Sequence, residues 1–257
     1  MINLVTTAYA AEGISVKLSP YVVGHIGGLP VTATLIMSWL AMAVLLLLVW
    51  RVRSTLSTIP GKLQNLVEIV IGGAYEYMVE TLENREVAQR YFPVVMTIFL
   101  SLLFMNLLGL FPGVTSIGYY PEGHDSLVPF LYPPASDLNV TLGYTIVAMF
   151  VIEMAGIVSL GVWKYGGKFF NFTSVIGFIV GIIELISELG RFISFSFRLF
   201  GNIFAGKTLL VVAIFFAPFV VPVPFLMYEV FVGIIQAAVF AFLTLIFIKL
   251  AITEPQH

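Results

Sequence analysis

The chain has 257 residues, of which 60% are hydrophobic and only 10% charged, with a net charge of -2 and no cysteine. A soluble domain of this size carries about 25% charged residues, so the composition excludes an ordinary globular protein and makes lipid the solvent for most of the chain. Near-neutral charge gives no footprint for nucleic acid, and the absence of cysteine removes disulfides and thiolate metal sites. The three histidines, His25, His124 and His257, are scattered outside the apolar runs, so neither a metal centre nor a cofactor is expected.

Residues 1–30 read as a short external tail. Ala-Tyr-Ala-Ala at residues 8–11 faintly resembles a signal-peptidase site, but no basic region and apolar core precede it. A spanning helix needs about 20 mostly apolar residues. The first such run, Thr32–Trp50, is closed by Arg51 and Arg53. Leu63–Leu82 places Leu63, Leu66, Val67, Val70 and Ile71 at helical spacing with Glu68, Glu76 and Glu80 between, which predicts an amphipathic helix lying at the interface. Further spans follow at Phe92–Phe111 and Thr141–Trp163, separated by a loop rich in Pro, Gly and Tyr. Thr173–Ala217 would be about 68 Å long as one helix, more than twice the hydrocarbon thickness. It must be strongly tilted, broken or folded back. The last run is Phe225–Ile248, after a turn marked by Pro218, Pro222 and Pro224. The expected fold class is therefore an all-α polytopic membrane protein, a single membrane domain with five membrane-embedded helices and one interfacial helix.

Basic residues set the orientation. Arg51, Arg53, Lys62, Arg85 and Arg90 fall between the first two spans, Lys164 and Lys168 after the third, and Lys249 after the last, whereas residues 112–137 and 218–224 contain no Lys or Arg. With five crossings the N-terminus lies outside and the C-terminus inside; only Lys17 sits on the wrong side.

Arg191, Arg198, Lys207, Glu153, Glu184, Glu188 and Glu229 all lie inside apolar runs. Each costs about 2.5–3.5 kcal/mol at the bilayer centre on insertion scales, and such residues mark ion pathways. At about 100° per residue, with Glu184 at zero, Glu188 falls at about 40°, Arg191 at about -20°, Arg198 at about -40° and Asn202 at about zero. These five form one stripe; Lys207 faces elsewhere. Glu184, Glu188 and Arg191 also fit intrahelical structural pairs, and Glu153 fits a satisfied helix contact. Lys207 and Glu229 are placed to pair across the proline turn. For Arg198, no carboxylate is nearer in sequence than Glu188.

The run Ser196-Phe197-Arg198-Leu199-Phe200-Gly201-Asn202-Ile203-Phe204-Ala205-Gly206 resembles the signature helix of subunit a of F-type ATP synthases, and Ile235-Gln236-Ala237 followed by Val239-Phe240 and Leu243-Thr244 resembles its last helix. Asn106–Pro112, Asp137–Thr141, Leu29–Thr32 and Leu63–Asn65 agree in the same order. The resemblance implies a non-catalytic stator of the rotary enzyme that passes protons through two offset half-channels. It implies that the last two helices are long, tilted and packed against a ring of subunit c. Arg198 is then the essential arginine. The outer half-channel maps to Asn202, Lys207, Glu229 and Gln236, with Asp137 and Asn139, and Glu184 is the acid of the inner side. Position 207 departs from the family, which often has an acid or histidine there. The implied partners are the subunit c ring, the subunit b peripheral stalk, the rest of the complex and the lipid bilayer, in a bacterial cytoplasmic (inner) membrane rather than a mitochondrial one.

Three other classes fit the sequence less well. A secondary transporter predicts inverted repeats, which are not seen. An intramembrane enzyme needs a nucleophile–base pair or a metal cluster, yet there is no Cys and no His in any span. A structural anchor leaves Arg198 without a reason.

Overall fold

The structure, a computed structural model of the chain, describes residues 8–10, 14–16, 19–57, 60–120, 127–169, 175–217 and 220–253. His124, His257, Pro218 and residues 173–174 of the long apolar run lie outside them, as does most of residues 1–18. The architecture is that of an all-α polytopic membrane protein. Its helices are α1 (Ala33–Ser54), α2 (Lys62–Leu82), α3 (Arg85–Gly109), α4 (Leu138–Leu160), α5 (Val162–Phe169), α6 (Val175–Phe216) and α7 (Pro222–Ile252). Five of them, all but α2 and α5, are long and apolar enough to cross a bilayer.

The solvent signature agrees with this. Large apolar side chains stand exposed along the spans: Trp39, Trp50, Phe150, Ile176 and Phe231 are each more than half exposed. A water-soluble fold does not leave so much contiguous apolar surface uncovered.

Among the described residues three short antiparallel ladders accompany the helices: β1 (Ala8–Ala10) with β2 (Ile14–Val16), β3 (Val22–Ile26) with β4 (Leu29–Thr32), and β5 (Gly118–Tyr119) with β6 (Val128–Pro129). The β3–β4 hairpin turns on Gly27–Gly28 and runs directly into α1. Thr32 caps that helix, its Oγ1 accepting from the Leu35 N–H at 3.2 Å. The stretch 1–30, read from sequence as a short external tail, thus contributes strands to two antiparallel pairs.

Apolar periodicity over Thr141–Trp163 predicts one span, but the structure begins it at Leu138 and ends it at Leu160. Gly161 takes φ 83, the left-handed conformation that terminates a helix, and its N–H bonds to Ile157 O at 2.9 Å. Beyond it, α5 is a separate eight-residue helix that exposes Trp163 (93%) and buries Tyr165. The long C-terminal segment is not broken: α6 is 42 residues without interruption, about 63 Å at 1.5 Å per residue. Pro222 opens α7, where its missing N–H leaves no intrahelical bond unmade.

By contact density the chain forms two compact units threaded by these helices. One comprises Met1–Arg51, Leu100–Thr141 and Arg198–Ala238; the other comprises Val52–Phe99, Leu142–Phe197 and Val239–His257. The second has an apolar core of Met78, Leu82, Ala88, Tyr91, Val95, Ile152, Ala155, Tyr165, Ala241, Leu245, Ile248 and Ala251.

Candidate functional site

In the first unit a cavity of about 280 Å³ is lined by the end of α3 and residues that follow it, by Pro133 and Ala135, by Ile203, Lys207, Leu210 and Ile214 of α6, and by Leu226 and Glu229 of α7. Its walls are apolar apart from a few groups, which makes those groups conspicuous. Glu229 is only 3% exposed, and neither carboxylate oxygen has a hydrogen-bond partner among the described residues. The buried Lys207 Nζ and Asn106 Oδ1 are likewise without one. Buried polar groups are normally satisfied, and those left open mark redox, catalytic or ion-handling positions.

Glu229 owes its place to a small neighbour. A β-carbon on Gly206 would stand 2.8 Å from Glu229 Oε1 and 2.9 Å from its Cγ, so only glycine leaves room for the carboxylate. One helical turn beyond Glu229, Gly233 O accepts from Asn106 Nδ2 at 2.9 Å, holding α7 to α3. The Lys207–Glu229 pairing contemplated from sequence is not formed as a hydrogen bond. Lys207 Nζ lies instead over the ring of Tyr132, 3.0 Å from its centroid.

Arg198 is half-buried on α6, Asn202 is exposed one turn on, and Phe197, Ala205 and Leu209 are exposed beside them. Gln236 is half-buried on α7. Arg198, Asn202 and Gln236 do not line the cavity that joins Lys207 to Glu229.

Asp137 is 4% exposed and fully engaged. Its Oδ2 accepts from Thr34 Oγ1 at 2.7 Å, and its Oδ1 accepts from the N–H of Asn139 at 2.9 Å and from Asn139 Nδ2 at 3.1 Å. This is a helix N-cap, closing the first turn of α4 and tying it to α1. Neither Asp137 nor Asn139 lines the cavity that holds Glu229.

The second unit holds a separate charged cluster. Lys168 of α5 meets Glu184 Oε1 at 2.6 Å and Glu188 Oε1 at 3.7 Å; Arg191 meets Glu188 Oε1 at 2.6 Å and Glu184 Oε1 at 3.4 Å. Arg191 also stacks on Phe247, 4.8 Å from the ring centre. A cavity of about 340 Å³ opens onto Glu184, Arg191, Lys168, Lys164 and Tyr165. Glu188 Oε2 is buried and has no hydrogen-bond partner among the described residues. Glu153 accepts from the Tyr165 hydroxyl at 2.9 Å. Of the stripe seen in sequence, Glu184, Glu188 and Arg191 thus form one network, and Lys168 completes it.

Tyr132, Gly206 and Lys168 escape sequence reasoning. A tyrosine in a loop carries no periodic signal, a glycine next to an alanine reads as packing, and Lys168 counts only towards topology. The sole hint is Tyr132-Pro133-Pro134, a stiff segment that presents its first residue in one direction.

Comparison with known proteins adds a name to the pattern. The family described as ATP synthase A chain matches residues 35–249. ATP synthase subunit a 3 of Pelobacter propionicus is 35% identical over 220 residues, covering 84% of this chain and 86% of that protein. Subunit a of Geotalea uraniireducens is 32% identical, with 84% and 86% covered, and that of Campylobacter concisus 31% identical, with 83% and 88% covered.

Proposed function

The chain belongs to the family of ATP synthase A chains, and from that premise we propose that it builds two offset half-channels separated by Arg198. As a member of that family it is a multi-pass, non-catalytic membrane component through which the synthase translocates protons, and it works with the subunit c ring. The finer assignment is our own reading. Glu229 is the proton carrier of the outer half-channel, with Lys207, Asn202 and Gln236 around it and Asp137 and Asn139 holding the entrance. Glu184 is the acid of the inner half-channel. The chain sits in a bacterial cytoplasmic membrane, N-terminus outside, with subunit b bracing it.

The observation that carries this is the Glu229 carboxylate, buried in a cavity with both oxygens open. A carboxylate already fixed by strong donors is a poor carrier, because taking up a proton would cost those bonds. Among the described residues Glu229 has no such donors. In sequence, Arg198 lies between the Glu184 cluster and Lys207, and its flanks Phe197, Asn202 and Ala205 are exposed as a face for a partner.

Arg198 cannot relay a proton, since guanidinium does not deprotonate in proteins. Its value is a permanent charge. A ring carboxylate passing it is favoured as the anion and releases its proton, and the same charge bars a direct leak. Each proton crossing is worth about 2.3 kcal/mol per 100 mV, all of which a leak would dissipate.

ATP-driven acidification of inverted membrane vesicles tests the reading. Arg198→Ala and Glu229→Gln are each expected to abolish it in assembled complexes. Normal acidification with Arg198→Ala would sink the separator role, and with Glu229→Gln the carrier role.

A further inference from the structure

Lys207 and Glu229 carry opposite charges, line one cavity, and form no hydrogen bond. Something holds the ammonium elsewhere. Its Nζ lies 3.0 Å from the centre of the Tyr132 ring, on the face where the ring's quadrupole is negative and attracts a cation.

The ring is itself held on several sides. Pro133, the next residue, packs so closely on Gly109 that a β-carbon there would stand 2.9 Å from Pro133 Cβ. Residues 134–136 form a single 3-10 turn, closed by the Asp137 N–H on Pro134 O at 3.0 Å, and Asp137 is then anchored to Thr34 and to the start of α4. Tyr21 packs against the ring, ring centres 5.1 Å apart at 60°. Burial, and then the neighbouring Tyr21, push the Tyr132 phenol above its ordinary value, so it stays neutral at working pH. Tyr132 therefore offers Lys207 a π face rather than a phenolate counter-ion.

We propose that Tyr132 is a positioning residue of the ion path, whose ring holds the Lys207 ammonium off the Glu229 carboxylate and so leaves Glu229 free to bind and release a proton. This rests on the reading of Glu229 as the outer carrier. Of the residues lining the cavity with Glu229, Lys207 is the only charged one. Were its ammonium to move into contact, it would favour the Glu229 anion, and an opposite charge at that range lowers a carboxyl's proton affinity by about 1–3 pH units. Position 207 can then hold a lysine, provided that an aromatic ring restrains it.

The test is the pH profile of ATP-driven proton pumping by the complete complex in vesicles, with assembly checked by subunit retention on purification. Tyr132→Leu is expected to shift the optimum to lower pH by about one unit or more. Tyr132→Phe, which keeps the π face, is expected to hold the original profile, and Lys207→Met added to Tyr132→Leu to bring the profile back. If Leu disturbs assembly, Tyr132→Met serves in its place. An unshifted profile in assembled Leu or Met variants overturns the proposal. So does a Phe variant that shifts as far as Leu, since the hydroxyl and not the ring would then be responsible. Failure of the underlying reading is distinguishable: there, Glu229→Gln continues to pump whatever Tyr132 does.

Discussion

Glu229 rests directly on Gly206, with less than a β-carbon's room between the α6 backbone and the acid's side chain. The contact involves Cγ and Cδ as well as Oε1, so a larger residue at 206 cannot be accommodated by turning the end of the Glu229 side chain alone.

Gly206→Ala is therefore expected to displace the carboxylate while leaving every charged group of the cavity present. Overpacking of this kind costs about 1–3 kcal/mol. The outcome to measure is a lower melting temperature of the purified complex together with several-fold slower ATP-driven acidification.

Asp137 separates a structural part from a chemical one. Asp137→Ala removes a helix cap worth about 0.5–2 kcal/mol and leaves the buried Thr34 hydroxyl without its acceptor. Asp137→Asn keeps an oxygen for the cap. We expect Ala to lower the melting temperature clearly, and Asn to pump at a rate within about twofold of the parent; a strong pumping defect in a stable Asn variant would show that the acid itself is needed.

In the other unit, Lys168→Ala leaves Glu184 and Glu188 sharing Arg191 alone. The pairs are partly screened, at roughly a fifth to a quarter side-chain exposure for Lys168, Arg191 and Glu184, so the loss is expected to be about 1–2 kcal/mol. Thermal unfolding at low and high salt checks this, since the deficit should shrink as ionic strength rises.

Glu83, in the turn between α2 and α3, accepts from Lys249 Nζ at 2.7 Å. That hydrogen bond, then the lysine's charge, hold its carboxyl below the ordinary value of 4.5. A folded-state value lower than the unfolded one contributes stability above pH 4.5 that fades as pH falls through the depressed value. Lys249→Ala should therefore weaken the complex slightly at pH 7 and leave it no weaker than the parent in strong acid, as read from unfolding at both pH values.

How much of this was legible in the chain depends on what wrote it. Lipid imposes composition, so the long apolar helices and the misfit of Arg198 among them stand out from residue types alone. Helical period likewise put Glu184, Glu188 and Arg191 on one face, where they do bond. Tyr132 over Lys207 joins residues 75 apart through a proline-stiffened loop, and no local pattern encodes such a meeting. For the same reason a Lys and a Glu of opposite sign suggested a hydrogen bond that is not formed, the ammonium lying over the ring instead. The break at Gly161 was hidden because apolar residues continue past it, although a glycine followed by a polar-faced octet carries the signal in retrospect.

All three tryptophans, Trp39, Trp50 and Trp163, are exposed, at 57%, 68% and 93%. In most proteins indole emission reports on a packed interior. Here it reports on the surroundings, and Trp163, almost wholly uncovered on α5, becomes an optical depth gauge. With the other two replaced by phenylalanine, quenching by lipids brominated at successive carbons would read how far that short helix lies from the bilayer midplane.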